Sequence, residues 1–265
     1  EMLRSLVGSE MCIRDRPEIR CSDDLFGTTT LGGLFPLDVP IRAVMGDSHA
    51  ALYGAGCGRE GMAKATYGTG SSVMLFTGRQ PVVSRHGLAA TVAWGRNGQT
   101  YYGLEGNINY AGAVIEWLIH RAGLLTSADE AEALALQAAP ADRTVFVPAF
   151  TGLGAPHWAP EMRAAIVGMG STTGRAEIVR AAVDSIAYQV TDLMLAMRQD
   201  AGCDITALRV DGGASVSDIL MQLQTDLLRI PVDRPEMVET TAFGAAALAG
   251  LAVGAVSYTH LRAHE

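Results

Sequence analysis

Between residues 175 and 200 the chain repeats Ile178, Ala182, Ile186, Val190, Leu193 and Met197 at steps of three or four, with no glycine or proline among them. Such spacing draws one apolar stripe along a long helix, which must be covered over its whole length. Around it, short segments alternate between strand-like and helix-like patterns. Strands are expected at 41–45, 62–67, 72–77, 89–94, 100–105 and 207–210. Helices are expected at 111–122, 127–138, 175–200, 216–228 and 240–253. Alternation of this kind implies an α/β fold with a largely buried sheet. Asn97-Gly98 between two strand patterns is a tight hairpin signal. The last helix is built from small residues, Gly244 to Ala247 with Ala249 and Gly250, so its backbone can approach a neighbour or a ligand closely.

Composition narrows the function classes. Twenty Lys and Arg against 28 Asp and Glu give a net charge of −8. That balance argues against nucleic-acid and anionic-membrane partners, which call for basic patches. A phosphate ligand stays open, because backbone N–H groups and bound metal can hold one. The four cysteines form no CxxC pair, which fits a reducing, cytoplasmic setting. The scattered histidines show no ligand spacing, so no metal site is assigned to side chains of this chain.

Three motifs could carry chemistry. Gly46-Asp47 follows the expected strand 41–45, where a carboxylate could take a proton from an attacking hydroxyl or orient it. The commoner use of an Asp there is to N-cap a helix starting at Ser48. Gly68-Thr69-Gly70 turns between two strands; its glycines would let backbone N–H groups reach a phosphate, with the Thr69 hydroxyl as a further donor. An ordinary hairpin turn has the same sequence. Asp211-Gly212-Gly213-Ala214-Ser215 joins a strand to a helix, where paired glycines would admit a flat ligand and the helix start an anion. A plain connector with Ser215 as N-cap reads equally well. His157-Trp158 at the tip of a Gly- and Pro-rich loop could line a cleft or pack as a surface loop.

The order of these motifs resembles the FGGY carbohydrate kinases. The resemblance runs through Phe26-Gly27-Thr28-Thr29, 46–54, 60–70, Leu104-Glu105-Gly106, 148–158, 164–184, 208–214 and 244–254. Within the family, the ending 244–254 is most similar to the glycerol-kinase branch. The resemblance implies the second, C-terminal lobe of an actin-like, ribonuclease-H-like ATPase fold, spanning 17–255, with the other lobe outside this chain. Residues 1–16 and 256–265 resemble translated sequencing-adapter DNA and are set aside from functional reasoning. By position Asp47 matches the general base that takes the acceptor hydroxyl's proton during phosphoryl transfer. Gly68, Thr69, Gly70, Gly112, Glu116, Gly212, Gly213 and Ser217 match nucleotide contacts, and Asp47, Ser48 and Ser72 the acceptor pocket. ATP and Mg2+ are the implied cofactors, and a homo-oligomer of the full-length protein is compatible with the family.

The chain departs from that branch at Ser48 and His49, where two glutamines are usual, and at Ser72, where an aromatic is. Glu116 stands for a glutamine and Ser217 for an asparagine. Losing an apolar wall and gaining hydroxyls favours a larger or more polar acceptor than glycerol. The isolated lobe is expected to be inactive. The competing reading is a non-catalytic nucleotide-binding member of the actin and Hsp70 superfamily.

Overall fold

The computed structural model describes residues 18–235 and 239–257. The expected foreign ends, 1–16 and most of 256–265, lie outside the described residues. In chain order the elements are β1 (Thr28–Thr29), β2 (Val39–Pro40), α1 (Asp47–Gly54), β3 (Met62–Tyr67), β4 (Ser71–Gly78), β5 (Ala89–Arg96) and β6 (Gln99–Ile108). Then follow α2 (Gly112–His120), α3 (Asp129–Ala135), β7 (Val145–Val147), β8 (Ala165–Val167) and α4 (Arg175–Ala201). The last are β9 (Ala207–Asp211), a 3-10 turn (Gly213–Val216), α5 (Asp218–Leu228), β10 (Val232–Asp233) and α6 (Thr240–Ala252).

Six strands form the central sheet in the order β10-β9-β3-β4-β6-β5. β10, β9 and β3 run parallel, while β3, β4, β6 and β5 pair antiparallel. Period-two alternation gives each strand two different faces. Ala63, Ala65, Tyr67, Val73, Leu75, Leu104, Leu208 and Val210 face the stripe of α4, meeting Ile186, Val190, Leu193 and Met197. On the opposite face Met62, Met74, Phe76 and Trp94 pack around Leu52 of α1. There the Phe76 and Trp94 rings stack with centroids 5.0 Å apart. A third cluster joins α2, α3 and the start of α4 through Val114, Leu118, Ala131, Phe146 and Val179. The hairpin at Asn97-Gly98 has positive φ at both residues, 51° and 72°, as a tight two-residue turn of this twist requires.

Several expectations fail locally. No strand forms at 41–45. Ile41 exchanges backbone hydrogen bonds with Gly27 and Phe26, and Val44 donates to the Ser22 carbonyl. With Ile41 and Val44 exposed and only Met45 packed against the Leu52 cluster, the segment joins no sheet beyond the short β1–β2 pair. Asp47 therefore sits on a helix start that an extended loop leads into. The expected helix at 216–228 begins as a separate 3-10 turn and becomes α-helical only at Asp218. The helix expected at 127–138 is confined to α3. The short strands β1, β2, β7, β8 and β10 carry too few residues for a visible period.

Candidate functional site

The glycine motifs converge at one end of β3. β3 and β4 are joined through Gly68-Thr69-Gly70, and this turn also holds the start of α2. The Gly68 carbonyl accepts the Gly112 N–H (2.9 Å), and the Thr69 carbonyl accepts the N–H groups of Ala111 (3.0 Å) and Ala113 (2.9 Å). Main-chain carbonyls thus satisfy helix donors that a side chain would otherwise cap. Two of the glycines are required by closeness: a Cβ on Gly112 would lie 2.7 Å from the Gly68 carbonyl oxygen, and one on Gly70 would collide with the Ile108 carbonyl. The hydroxyl-bearing Thr69 stays exposed.

Parallel pairing of β3 with β9 brings the second turn alongside. Gly212 has φ +89°, and a Cβ there would come within 2.5 Å of the Tyr67 carbonyl oxygen. Gly213 is different. It is exposed, has no positive φ, and a Cβ there would meet nothing within 4 Å. Neither turn geometry nor packing inside the chain demands a glycine at 213, and its main chain is open to solvent. Ser217 caps α5, its Oγ accepting the Leu220 N–H (3.4 Å). The expected alternative cap, Ser215, instead donates to the Gly212 carbonyl (2.7 Å) and fixes the turn. Glu116 lies one turn beyond Gly112 on α2, exposed, with His120 Nε2 3.0 Å from its carboxylate.

Asp47 is the first residue of α1, and Gly46 holds the N-cap position. The helix begins one residue earlier than the capping reading required. Asp47 Oδ1 accepts the Ser48 N–H at 2.7 Å and the side chain is exposed, so a carboxylate oxygen points to solvent-accessible space. Behind it His49 Nε2 meets Thr91 Oγ1 on β5 at 2.9 Å. Ser72 donates to Glu105 Oε1 (3.2 Å), joining β4 to β6.

Sequence reading did not anticipate the polar half of the sheet face beneath α1. Register places Lys64 opposite Arg209 and Thr66 opposite Asp211, with Ser72 the partner of Thr66 across β4. Lys64 is 2% exposed and its Nζ lies 3.9 Å from Asp211 Oδ1. Burial lowers its pKa, against the opposing attraction of Asp211 and, further off, Glu105 and Asp47. Thr240, the first residue of α6, donates a short hydrogen bond to Asp211 Oδ2. Thr66 Oγ1 and Asp211 Oδ1 are buried without a hydrogen-bond partner. The strand Met-Ala-Lys-Ala-Thr-Tyr carried the signal: its period of two sets Lys64 and Thr66 on one face.

The loop with His157 and Trp158 lies elsewhere. His157 Nε2 is 3.0 Å from Asp192 Oδ2 on α4, and Trp158 Nε1 donates to the Gly87 carbonyl (3.0 Å). With Asn107, Tyr110 and Gln189 the loop lines a cleft of about 230 Å³ against α4. Among the described residues no group of three or more His, Cys, Asp and Glu side chains could hold a metal ion. No described helix is long and apolar enough to cross a membrane.

The two glycine turns thus follow the ends of neighbouring parallel strands, β3 and β9, and Asp47 opens the helix that packs on the same sheet. The sequence model described as "FGGY family of carbohydrate kinases, C-terminal domain" matches residues 63–253. The chain belongs to that family. It is 52% identical over 238 residues to a glycerol kinase of Alkalilimnicola ehrlichii, covering 90% of this chain and 48% of the relative. A glycerol kinase of Geobacillus kaustophilus is 47% identical with the same coverage. Among solved structures, Plasmodium falciparum glycerol kinase with ADP superposes with a TM-score of 0.86 at 34% identity, over 93% of this chain and 50% of that one. A xylulose kinase from Lactobacillus acidophilus, at 19% identity and a TM-score of 0.79 over 92% of this chain and 50% of that one, shares the fold. The fold is therefore the actin-like ATPase fold of the sugar kinases, in the half that forms the C-terminal lobe. The chain spans about half the length of the curated relatives it matches.

Proposed function

We propose that the protein to which this domain belongs transfers a phosphoryl group from ATP to a hydroxyl of a polyol or sugar. The observation that carries the reading is Gly213, an exposed glycine that internal packing does not explain, set beside two turns whose glycines bring main chain together. Gly68, Thr69 and Gly70 would hold the phosphates, Gly112 and Gly212-Gly213 would let the nucleotide lie against main chain, and Glu116 and Ser217 would flank it. ATP supplies the γ-phosphoryl when bound.

Asp47 acts as general base, accepting the acceptor hydroxyl's proton at its free carboxylate oxygen while Ser48 N–H holds the other oxygen in place. Ser48 and Ser72 line the acceptor pocket. The Ser72–Glu105 and His49–Thr91 pairs add hydrogen-bonding groups there, supporting an acceptor larger or more polar than glycerol. The described residues make no metal cage, so the Mg2+ of this reading would be held by the phosphates and by residues outside this chain. The remaining acceptor contacts would come from a further lobe, so the domain alone would be inactive. The reading includes a cytoplasmic setting.

The test is ADP release by the full-length gene product with glycerol, tetritols, pentitols and ketopentoses, repeated on Asp47→Asn. Turnover with one acceptor, falling about 10²–10⁴-fold in the variant, is expected for loss of a general base. Nucleotide binding with no acceptor-dependent ADP release would return the non-catalytic reading.

A further inference from the structure

A buried lysine in a sheet interior is costly, since a desolvated ammonium loses several kcal/mol of hydration and an apolar residue would serve packing better. Lys64 occupies such a place, in the middle of β3. Its partner Asp211 stops 3.9 Å away, beyond hydrogen-bond reach. Packing therefore does not account for it.

The position of the pair in the fold does. β3 continues from Lys64 into the Gly68-Thr69-Gly70 turn. β9 ends at Asp211 and continues into Gly212-Gly213. Asp211 is also bound by Thr240 at the start of α6. α6 crosses α1, the helix that carries Asp47, in direct main-chain contact. A Cβ on Gly54 would collide with the Thr240 carbonyl, and one on Gly244 with the Ala50 carbonyl. One buried ion pair thus joins the two strands that lead into the glycine turns and, through Thr240, the helix packed against α1.

The charges on this face are unequal. Asp211 lies 3.9 Å from Lys64, and Glu105 stands in the same row two strands away, across Met74. The other cation on the face, Arg209, is committed to the C-terminal end of α1, donating to the Ala55 carbonyl at 2.6 Å. His49, on α1, is bound to Thr91. Lys64 is the cation that an ion pair joins to Asp211 among the described residues.

We propose that Lys64 is a positioning residue: its buried ammonium, paired with Asp211, fixes the base-bearing helix against the two nucleotide turns. This rests on the kinase reading above. Lys64 touches neither acceptor nor nucleotide; it acts through Asp211 and, by way of Thr240, through α6.

The experiment uses the full-length gene product and compares the wild type with Lys64→Met/Asp211→Asn. Replacing both members leaves no uncompensated buried charge, so the double variant is expected to melt close to the wild type. Its kcat is expected to fall about tenfold while the acceptor KM changes by less than about twofold, as when a base is misplaced and no binding contact is lost. Lys64→Met alone is the control, expected to lose both stability and kcat.

A double variant as fast as the wild type would overturn the proposal and leave Lys64 a structural residue. If the wild-type protein releases no ADP with any acceptor, the kinase reading fails on its own. The linkage is then read from binding of a fluorescent ADP analogue. A roughly fivefold weaker affinity in the double variant than in the wild type supports it, and equal affinity overturns it.

Discussion

At the scale of the residue, what a side chain does here follows from which partners reach it. Asp200 shows this outside the site. Its side chain is 1% exposed, at the end of α4, where Ser84 and the Arg85 N–H donate to it and His86 Nδ1 lies 2.7 Å away. Burial pushes its pKa up, but these hydrogen bonds outweigh burial and hold the carboxyl below its ordinary value. Asp200→Asn is expected to lower stability by about 1–3 kcal/mol, through loss of charge-assisted bonds that fix the loop before β5. A urea titration at neutral pH checks this; an unchanged midpoint would mean that the loop is held by its other contacts. Asp47 was legible in the sequence as a candidate base. Its exposure and its place inside the first helical turn were not, because the extended segment before it had the composition of a strand but no sheet to join.

At the scale of the element, the crossing of α1 and α6 decides where the proposed base stands. The two helices meet through Gly54 and Gly244, and each lacks a side chain because the partner's main chain fills that space. Gly244→Val forces them apart and is expected to cost about 1–3 kcal/mol or more. Because α1 carries Asp47, kcat of the full-length protein should fall further than its nucleotide affinity. A variant that loses stability yet keeps kcat would show that the helix slides without moving its N-terminus. The small residues of α6 announced close packing in the sequence; the helix they pack against, some 190 positions earlier, was not readable from local pattern. The same limit hid the polar sheet face. Lys64 and Thr66 alternate visibly along one strand, but Asp211 and Glu105 reach them only through strand pairing across long loops.

For the whole molecule, the sheet and α4 share one core cluster, and α4 runs on into the second, so the two should unfold together. Several carboxylates tie this body at its edges. Glu177 accepts from the backbone N–H groups of Ala139 and Gly174, and Asp142 binds Thr144 and Thr173; both are held below the ordinary carboxylate pKa by these bonds. Asp200 adds to them. A carboxyl with a depressed folded pKa contributes stability that is complete above its unfolded value and is lost as pH falls through the folded one. Urea midpoints should therefore be level from neutral pH to about 5 and drop steadily below about 4. Glu177→Gln should flatten that acid slope, and a slope unchanged by the substitution would remove Glu177 from the set.

The sequence by itself determined the elements with a clear period: the α4 stripe, the β3–β4 and β5–β6 hairpins with their glycine turns, and the family pattern along 20–254. These are local properties, set by side-chain spacing and by backbone conformations only glycine adopts readily. Only the tertiary structure decided which of those turns meet, that Gly212 lies against Tyr67 while Gly213 faces open space, and that a buried lysine stands beside Asp211. Contacts of that kind depend on strand order and helix crossing, which bring together residues that carry no mark of one another along the chain.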